Sequence, residues 1–307
     1  MPQSGDMTHD SKSHVTILMC TRNGARFLPS QLNSFLAQSH EDWSLWVSDD
    51  GSDDATLKIL REFRAAHPSR IVRLFRGPRQ GIGANYLSLI CRSDIPKGIV
   101  ALSDQDDVWL PAKLKRGVQM LARHGHGRPT LYASGYRPVD PNLMPIKITQ
   151  RPVGPLGFRA ALQRNRLCGA TMMLPPQTVD LARRAGPRAV PFHDWWLNLL
   201  VTGVGGDILY DTHPTLLYRQ HENNALGLNH GFRAFGQRVG MVLRGEHRSW
   251  HQINQRALEE IWYELDSPCF QHLKQVMRGA QGFASNPRRT QHKTPLADQV
   301  SSLTTVS

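Results

Sequence analysis

No stretch of about 20 apolar residues occurs anywhere in the 307-residue chain, so no segment has the length and apolarity of a bilayer-crossing helix. Cysteine is scarce. The four, Cys20, Cys91, Cys168 and Cys269, are widely spaced and form no CxxC pair. That pattern argues against a zinc site or a disulfide framework and leaves buried reduced thiols as the expectation. Residues 1–13 are polar and lack the charged-then-apolar layout of a secretory signal, so a cytoplasmic location is expected. Acidic side chains are in deficit, 25 against 37 Lys and Arg, for a net charge of +12. Such a balance draws polyanions (nucleic acid, anionic lipid, phosphorylated substrates) without choosing among them. No recognised nucleic-acid motif is present, so nucleic acid is not the expected partner. There is no internal repeat. What is present is a hydrophobic content of 40%, enough for the core of one large domain, alone or with a small appendage.

The first hundred residues alternate short apolar runs with helical spacing. Residues 15–18 read as a buried strand, after which Leu28, Leu32, Phe35 and Leu36 recur at helical intervals. Residues 43–47 form the next predicted strand, ending in Asp49-Asp50-Gly51-Ser52. Ser52 or Asp53 can cap a helix carrying Leu57, Leu60 and Phe63 on one face. Residues 71–75 and 99–102 are further strands, separated by a short helix over 86–91. Pro111 suits the first position of a helix running to about Leu121. Strand–helix alternation with short links implies an α/β fold with a mostly parallel sheet, whose ligands bind beyond the carboxyl ends of the strands. Three polar clusters fall at those ends: residues 21–24, 49–52 and 104–107. Later, residues 131–136 and 170–174 read as strands, 192–201 as a helix, and 206–210 with 215–218 as a strand pair. Residues 231–277 look helical, and 285–307, polar and poor in aromatics, look disordered.

Asp104-Gln105-Asp106-Asp107 puts three carboxylates in four residues, which repel unless a cation or solvent relieves them. Oxygen ligands suit Mg²⁺ or Mn²⁺, and a nucleotide diphosphate needs such a cation at its leaving oxygen. The competing reading is an acidic loop that caps the following helix. Asp50 can accept a hydrogen bond from a pyrimidine N–H, and Gly51 lets backbone approach a ligand; a tight turn with a helix cap is the plainer alternative. Thr21 and Arg22 could contact base or phosphate, or simply form a turn. Asp194, within His193-Asp194-Trp195-Trp196, has the surroundings of a base whose pKa is raised by desolvation; a helix N-cap is the other reading. Arg219 and His221, in Tyr218-Arg219-Gln220-His221-Glu222-Asn223-Asn224, could meet a phosphate and a metal. Phe232, Phe235, Val239 and Leu243 share a helical face among arginines, which suits an anionic membrane surface or packing on the catalytic domain.

In order and spacing, Val15-Thr16-Ile17-Leu18-Met19-Cys20-Thr21-Arg22-Asn23-Gly24, Gln38-Ser39-His40-Glu41-Asp42-Trp43, Val47-Ser48-Asp49-Asp50-Gly51-Ser52-Asp53-Asp54 and Leu102-Ser103-Asp104-Gln105-Asp106-Asp107-Val108-Trp109 resemble glycosyltransferase family two, across roughly residues 15–227. The resemblance implies a GT-A-type nucleotide-binding domain over 14–228; the helical pattern beyond it, a C-terminal extension over 229–284, and the polar tail over 285–307 have no match in the family. It implies that Thr21 and Asp50 hold the pyrimidine base, Asp104 faces the ribose or diphosphate, Asp106 binds the metal and Asp194 is the catalytic base. The 104–109 block together with 218–224 is similar to the rhamnosyltransferase-like branch, which implies dTDP-rhamnose as donor, although relatives use other nucleotide sugars such as UDP-sugars. Such relatives act on saccharide or lipid-linked saccharide acceptors in cell-surface polysaccharide assembly. A place on the inner face of the membrane, held peripherally, would follow. The sequence departs from the pattern at Arg22, which stands at an aromatic position, and at His193, which stands where a glutamate is expected. A nucleotidyltransferase also needs acidic metal ligands on a nucleotide-binding sheet, but residues 21–26 carry one glycine and make a poor phosphate loop. A non-catalytic polyanion binder would not place carboxylates at strand ends.

Overall fold

A computed structural model describes residues 14–124, 127–146, 154–222 and 246–281. Asn223 and Asn224, the amphipathic segment 232–243 and the polar tail 285–307 lie outside the described residues. The strands are β1 (Val15–Thr21), β2 (Trp43–Asp49), β3 (Val72–Arg76), β4 (Ile99–Ser103), β5 (Val108–Trp109), β6 (Thr130–Val139), β7 (Met173–Leu174) and β8 (Asp207–Arg219). They form one sheet in the order β3-β2-β1-β4-β7-β6-β8-β5. The β3-β2-β1-β4 portion is parallel, β7 runs antiparallel to both β4 and β6, and β8 is parallel to β6. Two reversals therefore leave β6 and β8 pointing the same way as β4. That direction brings the end of β8 to the same rim as the ends of β1, β2 and β4.

Helices cover both faces: α1 (Leu28–Leu36), α2 (Thr56–Ala66), α3 (Ile82–Ile90), α4 (Lys113–His124), α5 (Phe158–Gln163), α6 (Pro176–Ala185), α7 (His193–Gly203), α8 (Glu246–Glu260) and α9 (Ser267–Gln281). All seven residues of β1 are buried, as a parallel strand sandwiched by helices requires. Its side chains divide with period two. Ile17 and Met19 join Leu28, Phe35, Leu60 and Leu114 on one face, while Leu18 and Cys20 join Tyr86, Leu87, Trp196 and Leu200 on the other. Each fully buried large apolar side chain contributes roughly 1.5–3 kcal/mol. The second cluster continues into Leu258, Ile261 and Leu273 of the C-terminal helices, so α8 and α9 share the hydrophobic core of the sheet rather than standing apart from it. No described helix is long and apolar enough to cross a membrane.

Several sequence expectations shift. Neither Ser52 nor Asp53 caps α2: the N-cap position falls on Ala55, Ser52 Oγ is drawn to Asp49, and Asp54, just before the cap, accepts the Thr56 N–H at 2.9 Å. Pro111 lies in the turn before α4, where its carbonyl accepts the Ser39 N–H, and the helix begins two residues later. The predicted strand at 170–174 is a 3₁₀ turn, Gly169–Thr171, followed by the two-residue β7. The predicted pair at 206–210 and 215–218 is one continuous strand, β8, bent by register shifts against β6 opposite Ser134 and Gly135. All four cysteines are free; Cys20 is buried and the other three are half-buried.

Candidate active site at the carboxyl ends of the strands

Where β1, β2 and β4 end, their loops enclose a cleft of about 210 Å³ lined by Cys20, Thr21, Arg22, Asp50, Gly81, Ile82, Asn85, Asp104, Gln105, Asp106 and Tyr218. Of the residues singled out from sequence, Thr21, Arg22, Asp50, Asp104 and Asp106 line it directly. Arg219 and His221 attach to it through Asp106, and Asp194 stands behind Asp104.

The two aspartates ending β2 do different work. Asp49 is consumed by its own turn: it accepts from Thr21 Oγ1 at 2.9 Å, from the Gly51 and Ser52 N–H groups at 3.1 and 2.9 Å, and from Ser52 Oγ at 2.5 Å. Gly51 closes that turn with φ +91°, a conformation that favours glycine. The turn turns Asp50 into the cleft. Its N–H donates to the Thr21 carbonyl at 2.8 Å, and its Oδ1 accepts the Arg79 N–H at 2.6 Å. Thr21 thus reaches the cleft as a wall, with its hydroxyl spent on Asp49.

The β4 loop is fastened to the β1 loop by Gln105. Its Oε1 accepts the Arg22 N–H and its Nε2 donates to the Arg22 carbonyl, both at 2.9 Å. This clamp was not legible in the sequence, since a lone glutamine between aspartates carries no signal of its partner. The three carboxylates of the loop each offer an oxygen within 4.8 Å of the others. Asp104 accepts from the Tyr86 hydroxyl at 2.9 Å, and that hydroxyl also lies 2.5 Å from the Ser103 carbonyl. Burial first, then the Asp106 charge, push the Asp104 carboxyl up to about 7; the Asp194 charge adds to the rise. Asp106 Oδ2 meets His221 Nε2 at 2.8 Å. Asp107 is fully buried, and its carboxyl is held well above the usual range by burial and by its two neighbours. Its Oδ1 accepts the Arg219 N–H at 3.0 Å, tying the loop to the end of β8, while Oδ2 has no partner among the described residues. An unpaired buried carboxylate oxygen beside two further carboxylates is the electrostatic setting that a hard divalent cation relieves.

Arg219 is an anchor for the rim. Its Nε donates to the Asp106 carbonyl at 2.7 Å, its Nη1 to the Pro141 carbonyl at 2.5 Å, and its guanidinium lies 4.6 Å from the Phe27 ring centroid. The His221 ring sits 4.9 Å from the same ring. Beneath the cluster, Lys113 is wholly buried. Its Nζ donates to the Ala170 carbonyl at 3.0 Å and to Thr215 Oγ1 at 3.5 Å. Burial lowers its pKa to about 7, against the charges of Cys168, Asp107 and Asp104, which hold it up. Lysine is expected at the surface, so nothing in the sequence marks this one as internal.

Asp194 occupies the first turn of α7, where its Oδ1 accepts the Trp195 N–H at 2.7 Å. Burial raises its carboxyl to about 6, while hydrogen bonds from the Trp195 and Gly169 backbone and the Asn165 side chain pull it down. A partly desolvated carboxylate with that pKa is ionised at neutral pH yet basic enough to take a proton. Its helix is buttressed from outside: Trp250 of α8 packs edge-on against Phe192 at 5.0 Å, and His251 does the same against Trp195.

Comparisons with known proteins bear on the family and the fold. The model of the family "Glycosyl transferase family 2" matches residues 16–162. The dTDP-rhamnosyl transferase RfbG of Shigella flexneri is 30% identical over 233 residues, which cover 73% of this chain and 78% of the relative. The Escherichia coli UDP-Glc:alpha-D-GlcNAc-diphosphoundecaprenol beta-1,3-glucosyltransferase WfgD is 31% identical over 111 residues, 36% of this chain and 42% of the relative. Among solved structures, S. aureus TarS in complex with UDP-GlcNAc superposes with a TM-score of 0.54 at 13% identity, covering 82% of this chain and 72% of the other. The mannosyltransferase PcManGT from Pyrobaculum calidifontis, in complex with GDP-Man and Mn²⁺, superposes with a TM-score of 0.54 at 16% identity, covering 91% and 83%. At those identities the two structures speak for the fold, which is that of the GT-A glycosyltransferases.

Proposed function

The chain belongs to glycosyl transferase family 2 and is a nucleotide-sugar glycosyltransferase; on that premise we propose that it transfers rhamnose from dTDP-rhamnose, with inversion, to a saccharide or lipid-linked saccharide in cell-surface polysaccharide assembly. The observation that carries the reading is the convergence of Asp50, Asp104 and Asp106, from two separate strand ends, on one cleft. The rhamnose assignment is supported by the Shigella relative's dTDP-rhamnosyl activity, and the lipid-linked acceptor by the diphosphoundecaprenol in the E. coli relative's name.

In this reading Asp50 accepts a hydrogen bond from the pyrimidine, with Thr21 and Arg22 framing the base. Asp104 faces the ribose or diphosphate, and Arg219 holds the rim against the donor's phosphates. Asp106 and His221 would hold Mg²⁺ or Mn²⁺; the oxygen-rich donor set and the unpaired Asp107 oxygen suit that ion. When bound, it would stabilise charge on the departing nucleotide diphosphate. Asp194 takes the proton of the acceptor hydroxyl as that oxygen attacks the anomeric carbon from the face opposite the diphosphate. The bond to the diphosphate breaks as the new glycosidic bond forms, and configuration inverts. A lipid-linked acceptor would bring the protein to the inner face of the membrane by peripheral contact.

The test is a panel of dTDP- and UDP-sugars incubated with the protein and Mg²⁺ or Mn²⁺, scored for nucleoside diphosphate release. Release from dTDP-rhamnose above all others is the expected result. Release from a different nucleotide sugar alone would reassign the donor. Formation of a nucleotide sugar from sugar phosphate and nucleoside triphosphate would instead establish the nucleotidyltransferase reading.

A further inference from the structure

His193 is the most anomalous buried group near the site. It is 4% exposed, and neither ring nitrogen has a hydrogen-bond partner among the described residues. Burial lowers its pKa to about 3, so the ring is neutral. A neutral imidazole still carries one donor and one acceptor, and sealing both without partners is unfavourable; a hydrocarbon ring of similar shape would avoid that cost. The nitrogens are closed off from the cleft, and Nε2 abuts Gly169, where even a β-carbon would collide with it. The ring is therefore not placed to touch substrate.

What it does touch is specific. Its face stacks on Tyr86 with centroids 3.7 Å apart and planes 25° apart. Tyr86 is itself fully buried and donates to Asp104. One residue on, the same helical turn presents Asp194. We propose that His193 is a positioning residue: the His193–Tyr86 stack fixes the donor-side carboxylate Asp104 and the base Asp194 relative to one another. An aromatic side chain is needed because Tyr86 takes its face, and the absence of a side chain at Gly169 leaves room for its Nε2 edge. The stack works through its face, and its nitrogens are dispensable. The inference rests on the assignment of Asp194 as base.

The experiment compares His193→Ala, His193→Phe and His193→Gln with the wild type and Asp194→Asn, using the full chain. Two rates are measured on the same nucleotide sugar with Mn²⁺: transfer to acceptor, and hydrolysis without acceptor. Both are normalised to the donor-binding fraction found by calorimetry. Displacing a reacting group by an ångström can cost on the order of a hundredfold, so His193→Ala should lower the transfer-to-hydrolysis ratio by about tenfold or more. Phe, which keeps a ring face for Tyr86, should restore it to within about threefold of wild type, and Gln, which has no ring, should leave it low. A purely structural role would lower the donor-binding fraction and leave the ratio unmoved. The proposal is overturned if the Ala variant keeps the wild-type ratio, or if Phe fails to restore it. Undiminished transfer by Asp194→Asn would instead remove the base assignment, a separate failure read from its own arm.

Discussion

Replacing Asp194 by asparagine removes the proton acceptor and its charge, and turns one of the two oxygens that accept from Trp195, Gly169 and Asn165 into a donor. The amide keeps the size of the carboxyl and can still accept the Trp195 N–H at the start of α7, so fold and donor cleft should persist. What is lost is general-base catalysis, typically about 10²–10⁴-fold in turnover. With the carboxyl at about 6, the wild-type base is almost wholly ionised at pH 7.5, and protonation should remove activity as pH falls. At pH 5 turnover should be about one-tenth of its plateau, on a limb that loses tenfold per further pH unit. Donor affinity should be unchanged by the substitution, since Asp194 does not line the cleft. The assay is nucleoside diphosphate release with saturating acceptor across pH 4.5–8.5, set beside calorimetric donor binding. The reasoning fails if Asp194→Asn turns over within tenfold of wild type, or if its residual rate keeps the same acidic limb.

Further outcomes follow from the same geometry. Asp106→Ala removes a cleft carboxylate and the partner of His221, and should abolish the dependence of donor affinity on Mn²⁺; an unchanged titration would dismiss the metal site. The Asp104 carboxyl, raised to about 7 without a cation, is part-protonated at neutral pH and should release its proton when Mn²⁺ binds. Mn²⁺ affinity should accordingly rise with pH between 6 and 8, and calorimetry in buffers of different ionisation enthalpy should register the proton. Arg219→Lys keeps the charge but cannot reach the Asp106 and Pro141 carbonyls while lying on Phe27, so donor KM should rise several-fold; an unaltered KM would show that the fork is not needed. Gly83→Ala drives a β-carbon into the Val190 carbonyl and should destabilise the fold by about 1–3 kcal/mol, seen as a lowered Tm.

The parallel strands were legible because each is an apolar run flanked by turn residues, and because a strand buried on both faces tolerates little else. Their polar ends announced the rim, and Asp50, Asp104 and Asp106 could be placed on it before any coordinates. The sequence did not show the division of labour within the acidic pairs. Asp49 and Asp50 look equivalent on paper, but the turn through Gly51 commits Asp49 to three neighbours and frees Asp50 for the cleft. Asp107 likewise turns inward to Arg219 across 112 residues of chain, a pairing with no local signature. Lys113 was invisible for a different reason: its burial is set by Ala170 and Thr215, which arrive from the other half of the sheet. β8 was split in two on paper because Pro214 and the polar residues before it interrupt the alternation, whereas pairing with β6 carries the strand through as a bend.

Binding of dTDP, followed by calorimetry with Mn²⁺ and again with EDTA, tests most directly whether the strand-end carboxylates build a cation-dependent pyrimidine diphosphate site. Binding that requires Mn²⁺ and disappears in both Asp50→Ala and Asp106→Ala is the predicted result. Equal affinity in EDTA, or wild-type affinity in either variant, would contradict it.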